Sequence, residues 1–224
     1  MTEYLVISPS YNEEESIGEF VEKLKDVVGL DKFIILDDGS VDNTQKILRE
    51  KGIDFYPLPH RGKGATLKEG IDIAIKRGVD FVVFLDSDLQ HPPEFIPQFI
   101  DKLEKGAQLV IGSRWRYLHK MPRDRYLSNR LTTFFVSLLV GRRLYDTQSG
   151  FRGYRTEVLK DLSLKTTQYE TETELLIKLL KSHKVKKIDY VSIPVIYNAK
   201  SKINRFKDTM RFLKMYFSLL WKTC

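Results

Sequence analysis

The sequence holds one cysteine in 224 residues, Cys224, at its last position. That excludes an internal disulfide framework and a cysteine-built metal site, and a reducing, cytoplasmic setting is expected. Long apolar runs are also missing. The longest candidate, Leu131 to Val140, contains Thr132, Thr133 and Ser137 and stops at Gly141-Arg142-Arg143. A membrane-spanning helix needs about 18 apolar residues or more, so none is expected. Met1-Thr2-Glu3 leads straight into a strand-like run, and no N-terminal signal is expected. Histidine is scarce: His60, His91, His119 and His183 show neither metal-ligand nor triad spacing. No repeat, low-complexity tract or linker divides the chain, so one domain is the reading. What the chain does have is positive charge, a net +7 with a pI near 9.3. That balance reads either as a plain basic surface or as the mark of an anionic partner: a nucleotide, a phospholipid surface or nucleic acid. No nucleic-acid reader motif appears, and nucleic acid is not expected.

The first half alternates strand and helix patterns. Strands are predicted over Tyr4–Ser8, Phe33–Leu36, Asp54–Pro57, Asp80–Leu85 and Gln108–Ile111. Helices are predicted over Glu14–Val28, Asp42–Lys51, Gly62–Arg77 and Pro93–Lys105. This order implies an α/β fold, a single Rossmann-like, mostly parallel sheet flanked by helices. After Arg114 the alternation fades. Residues 115–150 are rich in arginine and aromatics without clean periodicity. A helix is predicted near Glu172–Ser182, with strands near Val185–Tyr190 and Val195–Tyr197. Asn204–Trp221 reads as a basic amphipathic helix, which can lie on an anionic membrane or pack on the core.

The chemistry-bearing residues fall at the predicted strand ends, where open α/β sheets bind ligands. Asp86, Asp88 and Gln90 follow a greasy strand, and their period-2 spacing puts them on one side of an extended segment. Two carboxylates and an amide oxygen suit Mg²⁺ or Mn²⁺ shared with substrate phosphates. Pro9-Ser10-Tyr11-Asn12-Glu13 follows the first strand. Tyr11 could stack on a base and Glu13 could accept from a ribose or base N–H. Helix capping by Ser10 or Asn12 is the competing reading. Asp37 and Asp38 close the second strand and could hold a base or ribose, while Asp42 reads as a helix cap. His60-Arg61-Gly62-Lys63-Gly64 opens a helix like a diphosphate-contacting edge, but lacks P-loop spacing. Gly112-Ser113-Arg114 and Arg123-Asp124-Arg125-Tyr126-Leu127-Ser128 offer arginines and a hydroxyl for a second anion. Asp146-Thr147-Gln148-Ser149-Gly150 is a polar turn entering a strand, equally a structural turn or one whose side chains line an acceptor site. Lys200-Ser201-Lys202 is a basic loop suited to phosphate. Glu170, Glu172 and Glu174 read as helix-start charge on a solvated face, and could supply a base if the substrate were an alcohol.

In this order the motifs resemble the family 2 inverting glycosyltransferases of the GT-A fold. Within them the chain looks most like the dolichyl-phosphate mannose synthase and polyprenyl-phosphate branch. The resemblance runs over residues 1–205 and rests on Pro9 to Glu13, Asp37 to Asp42, Arg61 to Gly64, Asp86 to Glu94, Gly112 to Arg114 and Ser149 to Arg152. It implies that Pro9, Tyr11, Glu13 and Asp38 hold the nucleoside, and that Asp86, Asp88 and Gln90 hold the metal and diphosphate. It implies that Arg114, Arg125 and Ser128 meet an acceptor phosphate and that Lys202 contacts the donor phosphate. Residues 1–113 would form the nucleotide-sugar half, 114–203 the acceptor half and 204–224 the terminal helix. The implied reaction moves mannose from GDP-mannose, or glucose from UDP-glucose, to dolichyl or polyprenyl phosphate. A phosphate acceptor is already ionised and needs no base. The rival readings are a saccharide or alcohol acceptor and a non-catalytic nucleotide-sugar-binding partner subunit. The implied location is peripheral, at the cytoplasmic face of a membrane, where an anchoring partner has a place. Two departures stand beside the resemblance. Many relatives append transmembrane helices, and the Arg and Gly-Glu that usually precede the Ser-Lys pair are absent before Ser201-Lys202.

Overall fold

Residues 2–196, 214–216 and 218 are described by the structure, a computed structural model. Strand β1 (Tyr4–Ser10) leads to α1 (Ile17–Val28), β2 (Phe33–Asp37), α2 (Thr44–Glu50), β3 (Phe55–Pro57), α3 (Lys63–Arg77) and β4 (Phe81–Phe84). Then come α4 (Ile96–Glu104), β5 (Leu109–Ser113), α5 (Arg123–Val140), β6 (Arg152–Arg155), α6 (Thr156–Leu159), α7 (Thr171–Lys181) and β7 (Ile188–Ser192). The seven strands form one sheet in the order β3-β2-β1-β4-β6-β5-β7. All neighbours pair in parallel except β6, which runs antiparallel to both β4 and β5.

Strand periodicity splits the core into two layers. Leu5 and Ile7 of β1 join Leu36, Val82, Phe84 and Ile111 beneath α3, α5 and α7. Val6, Ile35, Val83 and Val110 face the other way, against Phe20, Leu24 and Phe99 of α1 and α4. The chain leaves β1 toward β2 and β3, then returns to place β4 on the other side of β1. That reversal opens a crevice at the strands' carboxyl ends.

The first-half elements match their expected types, with every end within three residues of its predicted place. The second half differs in three ways. Residues 123–140, part of a stretch read as having no clean periodicity, form α5, the longest helix among the described residues. Its buried face is largely polar (Asn129, Thr132, Thr133, with Val136), and Leu127, Leu131, Phe134 and Leu138 face outward. A search for an inward apolar stripe finds nothing clean in such a helix. Strand β6 is the strand expected after the polar turn over 146–150, but it runs antiparallel in a sheet expected to be mostly parallel, and two of its four residues are arginines. Arg152 is nevertheless buried, donating to the carbonyls of Glu172 (2.6 Å) and Thr147 (2.7 Å). Finally, β7 lies later than predicted. Residues 185–187 form a loop, with Arg142 donating to the Val185 carbonyl at 2.9 Å and Lys186 N–H donating to Gln108 at 2.7 Å. Val195 and Ile196 lie outside any strand, and Tyr197 is outside the described residues. So is most of the expected terminal helix. Lys214, Met215, Tyr216 and Ser218 are helical, and the Tyr216 hydroxyl donates to the Phe135 carbonyl at 3.2 Å.

Candidate active site

The nucleoside end is built from two interlocked loops. After Pro9 and Ser10 the chain turns at Asn12, whose φ is +51°. Asn12 N–H donates to Ser40 Oγ (2.9 Å), and Val41 N–H donates back to Asn12 Oδ1 (2.9 Å). Glu13 N–H donates to Thr44 Oγ1 at 2.8 Å. Helix α1 begins only at Ile17, so Ser10 and Asn12 do not cap it. Asp42 does meet the start of α2, accepting from Thr44 N–H at 2.9 Å. Asp37 and Asp38, read as a pair that could hold a base or ribose, are both buried. Asp37 accepts from Ser40 N–H (3.0 Å) and Gln45 Nε2 (2.7 Å). Asp38 accepts from the backbone N–H groups of Arg61 (2.9 Å) and Gly62 (3.0 Å) and sits 2.9 Å from His60 Nδ1. It clamps the loop before α3. The clamp lays His60 over Tyr11, with ring centroids 4.2 Å apart and planes within 19°. The aromatic wall is thus a Tyr–His pair. Nothing in the local sequence marks His60 except its place beside Arg61-Gly62-Lys63.

The cation end lies where β4 stops. Asp86, Asp88 and Gln90 are not in an extended segment as expected. The strand ends at Phe84, Leu89 takes a φ of +61°, and Gln90 folds back onto Asp88. Gln90 donates to Asp88 through its backbone N–H (3.0 Å) and Nε2 (2.8 Å), fixing the carboxylate rather than lining up beside it. Ser87 Oγ donates to the Pro9 carbonyl at 3.1 Å and ties this turn to β1. His91, missed at the sequence level, is buried beneath the turn and accepts from Asp86 N–H at 3.4 Å. Burial pushes its pKa down to about 4, so the ring is neutral near pH 7.

Asp88 is pushed up to about 6 by burial and then by the charge of Asp86, with Glu13 adding to the effect. Two carboxylates held together in this way suit a hard divalent cation. Among the described residues, no group of three or more His, Cys, Asp or Glu could hold a metal. The rest of a coordination shell would have to come from substrate oxygens or water.

Lys63 does not stand open toward a phosphate. Its Nζ lies 2.6 Å from Asp86 Oδ1 and 2.9 Å from Glu172 Oε1. Burial opposes the charge on this ammonium, but the two carboxylates outweigh it and raise the pKa. For Asp86 burial acts upward, and Lys63 and the neighbouring cations bring it below the usual range. The three glutamates leave the solvated face they were assigned, Glu170 being partly buried. Glu172 has only 17% of its side chain exposed and Glu174 only 2%. Glu174 accepts from Lys165 N–H (3.0 Å), Thr166 N–H (2.9 Å) and Thr166 Oγ1 (2.6 Å), and pairs with Lys178.

On the arginine side, Arg114 follows β5 and grips Asp146 with two bonds, Nε to Oδ2 and Nη2 to Oδ1, each 2.7 Å. Asn129 of α5 donates to the same carboxylate at 2.7 Å. Burial acts against the Asp146 charge, and Arg114 outweighs it, holding the carboxyl below its usual range. One edge of the expected phosphate fork is therefore spent on Asp146. The charge still reaches the crevice, where it helps lower Asp86 and His91. Arg125 and Ser128 both lie on α5, Arg125 partly buried and Ser128 exposed. Lys202 is outside the described residues.

Comparisons with known proteins bear on the family and the fold. The family model described as glycosyl transferase family 2 matches residues 5–163. The chain is 33% identical to the UDP-N-acetylglucosamine–dolichyl-phosphate N-acetylglucosaminyltransferase of Methanococcus voltae, over 97% of this chain and 94% of that one. It is 31% identical to the polyprenol monophosphomannose synthase of Mycolicibacterium smegmatis, over 71% of this chain and 64% of that one. Among solved structures, it resembles glucosyl-3-phosphoglycerate synthase from Mycobacterium tuberculosis in complex with UDP. The TM-score is 0.78 at 25% identity, over 97% of this chain and 80% of that one.

Proposed function

This chain belongs to glycosyl transferase family 2 and has its GT-A architecture, and on that premise we propose that it transfers a sugar from a nucleoside-diphosphate sugar to a polyprenyl or dolichyl phosphate, with inversion. The carrying observation is the Asp86–Asp88 pair, two carboxylates crowded at the carboxyl edge of the sheet with Lys63 and Arg114 close by. In this reading Tyr11 and His60 receive the base, with Pro9 and Glu13 beside it. A divalent cation on Asp86 and Asp88, Mg²⁺ or Mn²⁺, supplies positive charge for the departing diphosphate. Asp38 holds the loop that carries His60 and Lys63. Arg114, fixed by Asp146, sets positive charge where an acceptor phosphate would approach, and Arg125 and Ser128 extend that side along α5. An ionised phosphate attacks without losing a proton. That suits a site where Glu172 is engaged by Lys63 and His91 is buried with Nδ1 already accepting a hydrogen bond. Lys202 keeps its proposed contact with donor phosphate.

The acceptor class is common to the two named relatives, and the sugar is not. Resemblance favours mannose, and a donor panel decides it. GDP-mannose, UDP-glucose and UDP-N-acetylglucosamine would each be offered with radiolabel, polyprenyl phosphate and Mn²⁺. Product in the organic phase supports the reading; label transferred only to an added saccharide or alcohol, beyond free sugar from donor hydrolysis, points to that acceptor class, with Glu172 as candidate base. Asp88→Ala should abolish transfer, and full activity in that variant would sink the cation assignment. Arg114→Ala should reduce use of lipid phosphate more than hydrolysis of the donor; equal losses argue against the acceptor assignment.

No helix among the described residues is long and apolar enough to cross a membrane. We place the lipid surface instead against α5, whose outward Leu127, Leu131, Phe134, Phe135 and Leu138 are 42–67% exposed. Exposed Arg123, Arg130 and Arg143 flank that stripe and suit anionic headgroups.

A further inference from the structure

Lys63 opens α3, where the helix dipole disfavours a cation, yet its side chain is only 19% exposed. Its Nζ lies between Asp86 Oδ1 (2.6 Å) and Glu172 Oε1 (2.9 Å), with the Tyr169 ring centroid 5.8 Å away. The three charged groups converge on a bare Cα. A Cβ on Gly150 would come within 2.9 Å of Asp86 Oδ2 and 3.2 Å of both Glu172 Oε1 and Lys63 Nζ. Any larger residue there would press the cluster apart.

One carboxylate oxygen of Asp86 is thus already serving a positive charge. An ammonium and a divalent ion repel strongly inside a partly buried site, so the two compete for this carboxylate. A cation arriving at Asp86 must take Oδ1 from Lys63 or bind Oδ2 against the charge of the ammonium, and Glu172 is a second carboxylate already within reach of Lys63.

We propose that Lys63 is a resident counter-ion that competes with the divalent cation for Asp86, and that Glu172 is the positioning residue that takes Lys63 over when the cation binds. The inference rests on the reading of Asp86 and Asp88 as cation ligands. It assigns opposite effects to two residues of one ion pair: Lys63 opposes cation entry and Glu172 permits it.

The test is direct Mn²⁺ binding to the full chain, followed by electron paramagnetic resonance of free Mn²⁺, with and without a nucleoside diphosphate. Without nucleotide, Lys63→Met should bind Mn²⁺ roughly tenfold more tightly than the unaltered protein. Glu172→Gln should bind it several-fold more weakly, because the ammonium is left with Asp86 alone. In the double variant the Glu172→Gln effect should vanish, since its route runs through Lys63. A purely structural role for Glu172 would leave its effect unchanged in the Lys63→Met background. That result overturns the proposal, as does Lys63→Met binding Mn²⁺ no more tightly. Should Lys63→Met fold poorly by thermal melt, Lys63→Gln makes the same comparison. If the unaltered protein binds no Mn²⁺ even with nucleotide, the cation reading falls and takes this inference with it. If it binds and the variants do not diverge, only this inference falls.

Discussion

Asp88 titrates at about 6, well above the ordinary carboxylate value of 3.8, because burial and Asp86 disfavour its charge. A divalent cation needs the ionised form, so binding must displace the proton. Mn²⁺ affinity should be flat above about pH 6 and fall about tenfold per pH unit below it, readable by titration calorimetry. Without cation the sign reverses. A raised folded-state value means that Asp88 adds stability as pH falls through about 6 toward 3.8. Glu174 behaves oppositely. Burial would raise its pKa, but hydrogen bonds from Lys178 and Thr166 bring it from 4.5 to about 2. Its contribution is complete above 4.5 and is lost as pH drops toward 2. Glu174→Gln should cost about 2–4 kcal/mol in urea unfolding at pH 7. Asp86 and Asp88 were legible in the sequence because a greasy strand ends just before them. His60, His91, Glu172 and Glu174 were not. His60 owes its place to Asp38, and Glu172 to Lys63 more than a hundred positions earlier in the chain; neither partner shows in local spacing.

Helix α5 shows why element prediction failed in the second half. Its inward Asn129 and Thr133 serve a buried polar network around Asp146 and Thr147, while its large apolar residues face out. The usual inference from apolar periodicity to core therefore points to the wrong face. Exposed apolar residues contribute little to stability, so Phe134→Ser combined with Leu138→Ser should leave the melting temperature within a few degrees. The same double variant should lose most flotation with anionic vesicles at low salt, and undiminished flotation would remove the lipid surface from α5. A strand after the turn over 146–150 was legible, but the burial of Arg152 was not: its guanidinium is satisfied by main-chain carbonyls rather than by acidic neighbours that a sequence reader can see.

At the scale of the whole molecule, the parallel sheet was readable because each first-half strand is a short apolar run followed by a helical period. The antiparallel insertion of β6 was not, since strand order depends on pairing between distant segments. The crevice belongs to the reversal of strand order, so ligands held there should stabilise the sheet as a unit. A nucleoside diphosphate with Mn²⁺ at a hundred times Kd adds about 2.7 kcal/mol. For a chain of this size that corresponds to a melting shift of roughly 5–10 °C, measurable by differential scanning fluorimetry. No shift with either GDP or UDP would argue against a nucleotide site.

Strands β4 and β5 are never hydrogen-bonded to each other; β6 lies between them and is made after both. A nascent chain ending before Arg152 can join β3, β2, β1 and β4 but has no partner with which to dock β5 beside β4. During synthesis the nucleotide wall can therefore close early, while the arginine side waits for four late residues to thread between two finished strands. Ribosome-bound chains of increasing length should acquire protease resistance in two steps, the second only once β6 has cleared the exit tunnel.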